Sequence, residues 1–198
     1  MHIFQVNGFP SKNNVYIFNG DIIDRGKSSV QVLTALLLFK LHCPQCVHIT
    51  RGNHETGDFL GGQIKRDFLS VYDEGIYSMF VQVTHEIPVA IILDHKVLVI
   101  HGGINRSNLT IEEINTIPKG EKSEESDLLA ELLWADPQAS EGTLVDMKRG
   151  TMFGPDVSKA FLQRHKLKFM VCRPNCYGRV SHNNLVCTSR REGLLCKY

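Results

Sequence analysis

The chain has 198 residues, of which 42% are hydrophobic and 22% are charged, and its formal net charge is +1. Such a composition is that of a globular domain with a core and excludes a disordered chain. The near-zero charge argues against nucleic acid as a partner, and the longest apolar stretch, residues 32–39, is too short to span a membrane. The oligomeric state does not follow from these properties.

Residues 1–14 lack the basic region, apolar core and cleavage site of a signal peptide, which predicts a cytoplasmic or nuclear location. The cysteines are then expected to be free thiols, buried or half-buried. The alternative is a structural zinc held by Cys43 and Cys46 together with Cys172 and Cys176. The second pair has a spacing one residue longer than the usual zinc knuckle, so free thiols are the preferred interpretation.

Short apolar runs rich in β-branched residues alternate with helical patterns along the chain. Strands are predicted at residues 15–18, 47–50 and 96–100, and a further strand precedes the last one across a turn at Asp94 and His95. Helices are predicted at residues 28–41, 63–83 (interrupted at Gly75), 110–116, 127–134 and 155–165. This order of elements predicts an α/β fold.

A polar loop follows each of three predicted strands: NGDIIDRG at residues 19–26, RGNHE at 51–55 and HGGI at 101–104. Each loop alone has a structural explanation, since an Asp-Gly loop is usually a turn, His101 is more often a hydrogen-bonded core histidine, and Asn53 can cap a helix. All three loops follow strands, however, and strand ends are where α/β proteins bind ligands.

Together the loops offer a carboxylate, a neutral amide oxygen and imidazoles. This donor set suits Mn²⁺, Fe or Zn²⁺. A carboxylate such as Asp21 has two oxygens and can bridge two cations, as a two-metal site for phosphoester cleavage requires. The sequence therefore predicts a metal site that acts on phosphate esters.

The same motifs resemble, in order, those of the phosphoprotein phosphatase family of metal-dependent Ser/Thr phosphatases. LLWADPQ at residues 132–138 and KRGTMFGPDVSKAFL at 148–162 continue the resemblance, which covers roughly residues 3–171 and is strongest to the protein phosphatase 5 branch. It implies a calcineurin-like metallophosphoesterase fold, an α/β two-sheet β-sandwich flanked by helices. Residues 1–198 are expected to form a single, incomplete phosphatase catalytic domain.

Residue roles follow from this resemblance, motif by motif. Asp21 would bridge two metals, while Asn53 and His101 would ligate one of them. His54 would be the general acid that protonates the leaving seryl or threonyl oxygen, and Asp24 would pair with His54 and hold its tautomer.

The phosphate of the substrate would be bound by Arg25, Arg149 and Asn53, a task that suits bidentate guanidinium donors. The resemblance thus implies a protein serine/threonine phosphatase that hydrolyses phosphoseryl and phosphothreonyl esters of phosphoprotein substrates. Its cofactors would be two metals, of Mn, Fe or Zn, and a hydroxide activated by both would attack phosphorus.

Two parts of the family pattern have no match. The family's Gly-Asp-x-His-Gly motif is expected upstream of Met1, and an ungapped alignment places Pro174 and Asn175 where the family has its last metal histidine and the glutamate after it. Proline cannot ligate a metal, and His182 could replace that histidine only in a remodelled loop. The family's closing Asn-Tyr signature also has no counterpart.

The remaining donors predict at most one weakly bound metal, since ligand number and charge set affinity. The fold is expected to lack the family's first strand and part of its C-terminal hairpin. The alternative function is then a catalytically inactive phosphatase-like domain that acts as a phosphoprotein-binding or scaffold module.

Overall fold

The structure is a computed structural model that describes residues 2–23, 28–57, 60–146 and 150–173, together with the backbone of residues 186–190 and 193–197. The α-helices are α1 (His2–Asn7), α2 (Ser29–His42), α3 (Lys65–Leu69), α4 (Glu74–His85), α5 (Ile111–Asn115), α6 (Asp127–Trp134) and α7 (Pro155–Arg164). The strands are β1 (Val15–Asn19), β2 (Val47–Thr50), β3 (Ala90–Leu93), β4 (Val97–Ile100), β5 (Asp136–Pro137), β6 (Thr143–Asp146), β7 (Gly150–Phe153), β8 (Phe169–Val171), β9 (Val186–Arg190) and β10 (Gly193–Lys197). Within these described ranges, no helix is long and apolar enough to cross a membrane.

The strands form two larger sheets and one small sheet. The first has the order β10-β9-β1-β2, with β1 parallel to β2 and antiparallel to β9. The second has the order β3-β4-β8, with β4 antiparallel to β3 and parallel to β8. The small sheet, β5-β7-β6, lies beside the second through a shared core.

Strands β1 and β4 are apolar on both faces because each is covered on both sides. Tyr16 and Phe18 pack into the core beneath the first helices, whereas Ile17, between them, packs with Val97 and Val99 of the second sheet. This alternation is the two-residue period of a strand, and a continuous apolar run is what a doubly covered strand requires. The two sheets therefore face each other, and the helices cover their outer sides.

The two-sheet α/β architecture confirms the predicted fold class, and most element boundaries agree with prediction within one or two residues. The exception is the break in the helical stretch near residues 63–83. Asp73 accepts a hydrogen bond from the Ile76 N–H at 2.9 Å and so caps a new helix that begins at Glu74. The break precedes this cap, and Gly75 lies inside the helix, so the prediction of an interruption at Gly75 was wrong.

The prediction of free thiols was wrong for the CPQC motif, because Cys43 and Cys46 form a disulfide. The Cys46 N–H donates to the Cys43 carbonyl at 2.9 Å, and this turn at the end of α2 brings the two Cα atoms to 5.3 Å, within disulfide range. Cys172 is half-buried with a free thiol, as predicted. Burial, aided by Asp136, raises the pKa of the Cys172 thiol to about 11.

The core around α7 provides a direct test of this packing. Phe161 is fully buried against Leu132 and Phe153, so Phe161→Ala is expected to lower the free energy of unfolding by about 3–5 kcal/mol. Phe169 is 62% exposed, and Phe169→Ala is the matched control, with an expected loss below about 1 kcal/mol. Urea unfolding curves measure both, and similar midpoints for the two variants would contradict the assigned core.

Candidate active site

The candidate site lies where the carboxyl ends of β1, β2 and β4 meet, and Asn19 holds these ends together. Its side-chain Nδ2 donates to the Ile100 carbonyl at 3.1 Å, and its Oδ1 accepts from Thr50 Oγ1 at 2.7 Å. Its backbone carbonyl is 2.8 Å from His101 Nδ1. Asn19 is buried, and its side-chain amide and its backbone carbonyl both make hydrogen bonds. This residue therefore joins the first sheet to the second at one point.

His101 is oriented by this contact with Asn19. A carbonyl oxygen can only accept, so Nδ1 carries a proton and Nε2 is the ring nitrogen that faces the site. Nε2 lies 3.2 Å from Asn53 Oδ1 and 3.3 Å from Asp21 Oδ1. A buried histidine whose second nitrogen is held by a carbonyl is the usual arrangement of a metal-ligating imidazole.

Asp21 reaches this point because the chain turns sharply after β1. Gly20 and Asp21 both have positive φ, at 70° and 50°, and the second value is uncommon for a residue with a side chain. A Cβ on Gly20 would lie 2.7 Å from the Gly52 Cα, so the loops after β1 and β2 approach more closely than any other residue would allow. Glycine at this position is therefore required by both backbone angle and space.

Glu55 holds the Asp21 loop in place through hydrogen bonds to its backbone. This glutamate is fully buried, and its two carboxyl oxygens accept from the backbone N–H groups of Asp21, Ile23 and Gly52, each at 2.8 Å. Burial raises the pKa of Glu55, and the nearby Asp21 carboxylate adds to this, while the N–H donors offset only part of the effect. Glu55 is thus a structural acid that positions the loop.

Arg51 holds the end of the Asn53–Glu55 turn. It is 1% exposed, and its guanidinium donates to the Glu55 carbonyl at 3.1 Å and to Ser123 Oγ at 2.8 Å, and also pairs with Glu124. Burial lowers the pKa of Arg51, although Glu124 opposes this change. The short 3₁₀ turn Asn53–Glu55 is therefore anchored at its end by the buried Arg51, whose ion-pair partner Glu124 lies at the surface.

The electrostatic setting of Asp21 favours an ionised carboxylate. Burial alone would raise the pKa of Asp21, but hydrogen bonding and charge from His101 and His54 outweigh it and hold this pKa below its usual value. The His54 N–H contributes by donating to Asp21 Oδ1 at 3.3 Å. Asp21 is therefore available as an anionic ligand.

The donor geometry fits one divalent cation. Asp21 Oδ1 and Asn53 Oδ1 carry lone pairs, as does His101 Nε2 once it has lost the proton that it shares with Asp21, and a cation among these three atoms would take the place of that proton. Two ligands at about 2.1 Å from one ion and at right angles lie about 3 Å apart, close to the separations observed. In the part of the chain that the structure describes, no group of three His, Cys, Asp or Glu side chains forms a metal cluster, so the amide of Asn53 completes this set.

The structure thus brings together four of the predicted site residues. Asp21, Asn53 and His101 converge, and His54 is half-buried directly beside Asp21. The other predicted residues lie outside the described ranges and stay predictions: Asp24, Arg25 and Arg149, together with Pro174, Asn175 and His182 in the segment expected to carry the last metal ligand.

Sequence reasoning missed four residues that shape the site, namely Asn19, Glu55, Asp136 and Arg173. Asn19 is a polar residue that ends an otherwise apolar strand, and this departure from the apolar pattern could have identified it from the sequence. Glu55 follows Asn53, a predicted metal ligand, by two residues, but its sequence position is also that of an ordinary acid in the first turn of a helix. Asp136 lies in the LLWADPQ motif that carries the family resemblance, but its local sequence gave it no role in the site, and nothing in the local sequence distinguishes Arg173.

Comparison with known proteins identifies the family to which the chain is similar. Residues 1–172 match the calcineurin-like phosphoesterase family. Serine/threonine-protein phosphatase 5 of Rattus norvegicus is 39% identical over 179 residues, which cover 86% of this chain and 35% of that protein. The Homo sapiens protein of the same name is 38% identical with the same coverage.

Two further comparisons extend the similarity. Serine/threonine-protein phosphatase T of Schizosaccharomyces pombe is 36% identical over 181 residues, or 86% of this chain and 37% of that protein. The chain therefore spans 35% to 37% of the length of these relatives. A solved structure of a Saccharomyces cerevisiae protein serine/threonine phosphatase with similarity to human phosphatase PP5 superposes with a TM-score of 0.83 at 26% identity, covering 99% of this chain and 73% of that one.

Replacing Glu55 tests how the Asp21 loop is held. Glu55→Gln presents an amide NH₂ group to backbone N–H donors, so at least one buried donor loses its acceptor, and a loss of about 2–3 kcal/mol in unfolding free energy is expected. Glu112→Gln, at an exposed position, is the control and should change stability by less than about 0.5 kcal/mol. Equal stability of the two variants in chemical denaturation would refute the anchoring role.

Proposed function

The chain belongs to the calcineurin-like phosphoesterase family, and we propose that it is a protein serine/threonine phosphatase domain of the phosphoprotein phosphatase type. Its substrates would be phosphoseryl and phosphothreonyl side chains of other proteins. The observation that carries this proposal is the convergence of Asp21, Asn53 and His101 at the junction of the two sheets. Mn, Fe and Zn all suit these oxygen and nitrogen donors.

Asp21, Asn53 and His101 would hold the ion, and its contribution when bound is Lewis acidity toward the phosphate and toward an attacking water. The protein residues would fix the donor atoms and exclude bulk water. Asn53 and His101 are 1% and 2% exposed, so their donor atoms are fixed in a site from which bulk water is largely excluded. The phosphate of a substrate would be directed to the exposed side of Asp21.

His54 is proposed as the general acid. Its backbone N–H is bonded to Asp21 Oδ1, so its ring is carried next to the place where the phosphate would bind. A protonated imidazole at this position can give its proton to the serine or threonine oxygen as the bond to phosphorus breaks. Asp24 would hold the tautomer and charge of His54, as the family resemblance implies.

Arg25 and Arg149 are proposed to bind the phosphate oxygens. Both come from segments that match the family motifs, DRG and KRGTMFGPDV. Two guanidinium groups would orient a phosphate monoester for in-line attack and neutralise the charge that develops on its oxygens. Asn53 can contribute a further polar contact to the same phosphate.

A specific observation supports a second candidate, a phosphatase-like domain that binds phosphoproteins without hydrolysing them. Arg173 extends its guanidinium toward Asp21, with Nη1 at 3.8 Å from Oδ2. A permanent cation beside Asp21 disfavours a second metal ion there, and a site with one ion lacks the two-ion clamp that phosphoester cleavage uses. The two candidates differ in one measurable property, which is turnover.

Hydrolysis of a small aryl phosphate with added Mn²⁺ tests the proposed activity. Activity is expected in the unmodified chain and should fall at least about a hundredfold in Asp21→Asn, because an amide lacks the charge that holds the ion. Asp94→Asn, in the exposed turn between β3 and β4, is the control and should keep full activity. Folded protein without turnover in any of the three would favour the binding module.

The role of His54 is tested by substrates with different leaving groups. His54→Gln should lower turnover of phenyl phosphate by about 10²–10⁴-fold, because its leaving oxygen needs a proton. Turnover of p-nitrophenyl phosphate should fall much less, since nitrophenolate leaves without one. His95→Gln, at an exposed turn, serves as the control. An equal loss with both substrates would exclude His54 as the general acid.

A further inference from the structure

Arg173 occupies the side of Asp21 that faces away from the three-donor cluster. Its Nη1 lies 3.8 Å from Asp21 Oδ2, and its Nη2 donates to Asp136 Oδ1 at 3.2 Å. Its backbone N–H donates to the His101 carbonyl at 2.7 Å. Arg173 is therefore held at its backbone by one ligand residue, and its guanidinium lies against another.

The two oxygens of Asp21 consequently face different partners. Oδ1 points to His101 Nε2 and accepts from the His54 N–H, whereas Oδ2 points to the guanidinium. In a two-metal site the bridging carboxylate would lie between two cations, so the second ion would have to share the surroundings of Asp21 with the guanidinium. A guanidinium cannot lose its proton in a protein, so its positive charge at Oδ2 is permanent.

The charges around Arg173 also argue against a second metal ion at Asp21. Asp21 and Asp136 are both largely buried, with side-chain exposures of 16% and 12%, and Arg173 lies between them. Two carboxylates brought together in this way need a shared cation. A divalent ion at Oδ2 would have to displace Arg173 or tolerate its repulsion.

We propose that Arg173 is a built-in cation that takes the place of a second metal ion at Asp21. The chain then binds a single divalent ion, through Asp21 Oδ1, Asn53 and His101, and the guanidinium compensates the charge of Oδ2 and Asp136. Arg173 acts through Asp21 and is a positioning residue. The inference rests on the metal site of the proposed function.

The test is a titration of the full chain with Mn²⁺, in which the electron paramagnetic resonance signal of free Mn²⁺ gives affinity and stoichiometry. One ion per chain is expected. Arg173→Gln keeps an N–H donor toward Asp136 but removes the charge, and it should bind Mn²⁺ about tenfold more tightly because a nearby repulsive charge is gone. Arg173→Lys retains the charge and should bind within about threefold of the unmodified chain.

Arg164→Ala is the matched control, because Arg164 is exposed on α7, and its affinity for Mn²⁺ should be unchanged. An affinity of Arg173→Gln equal to that of the unmodified chain would overturn the proposal, as would two equivalent ions per unmodified chain. If Arg173→Gln does not fold by near-ultraviolet circular dichroism, Arg173→Met, which also removes the charge, takes its place with the same expected tightening, and an unchanged affinity would overturn the proposal in the same way. Binding more than about tenfold tighter in Arg173→Lys would refute the charge argument.

Failure of this inference is distinguishable from failure of the proposed function. A single ion that is lost in Asp21→Asn but insensitive to Arg173→Gln would leave the phosphatase site intact and remove only the role of Arg173. No detectable Mn²⁺ binding, or binding that Asp21→Asn does not weaken, would overturn both.

Discussion

The constraint on which the site depends is the docking of two sheets at Asn19. The side-chain amide and backbone carbonyl of Asn19, at the end of β1, bond to Thr50 at the end of β2 and to Ile100 and His101 at the end of β4. Asp21 lies two residues beyond Asn19 on the same loop. The separation of Asp21 from His101 is therefore set by rigid elements, and such placement gives the sub-ångström order that a cation site needs.

A second layer of interactions determines what the site can bind. Buried Glu55 uses its carboxylate on backbone N–H groups, which leaves Asp21 as the ionised acid that faces the ligand region. Arg173 then gives Asp21 two chemically different sides, with the His101 imidazole and the His54 N–H on one and a guanidinium on the other. Pairing with backbone N–H groups, as for Glu55, or with imidazole and guanidinium groups, as for Asp21, thus gives different roles to two carboxylates that lie 34 residues apart in the chain.

Much of this arrangement could be predicted from sequence, because β-branched runs mark strands and the polar loops that follow them carry the donors. Asp21, Asn53 and His101 were found in this way, and the structure brings them together. The bonds of Asn19 and Arg173 were not predictable, because they join residues far apart in the chain whose meeting depends on how the sheets dock. The Cys43 pairing was missed for a different reason, since redox state is a property of conditions and local turn geometry rather than of composition.

The position of the site at a junction between sheets also determines when it forms during folding. The contacts of His101 with Asn53 and Asn19 span 48 and 82 residues of chain, so they close long loops and belong to the late, non-local steps. A folding intermediate in which only one of the two sheets has formed would contain the polar loops but not the site that they form together. A metal ion held by Asp21, Asn53 and His101 together would therefore stabilise only the finished junction. The stabilisation would be about 2.7 kcal/mol when the ion's concentration is a hundred times its dissociation constant.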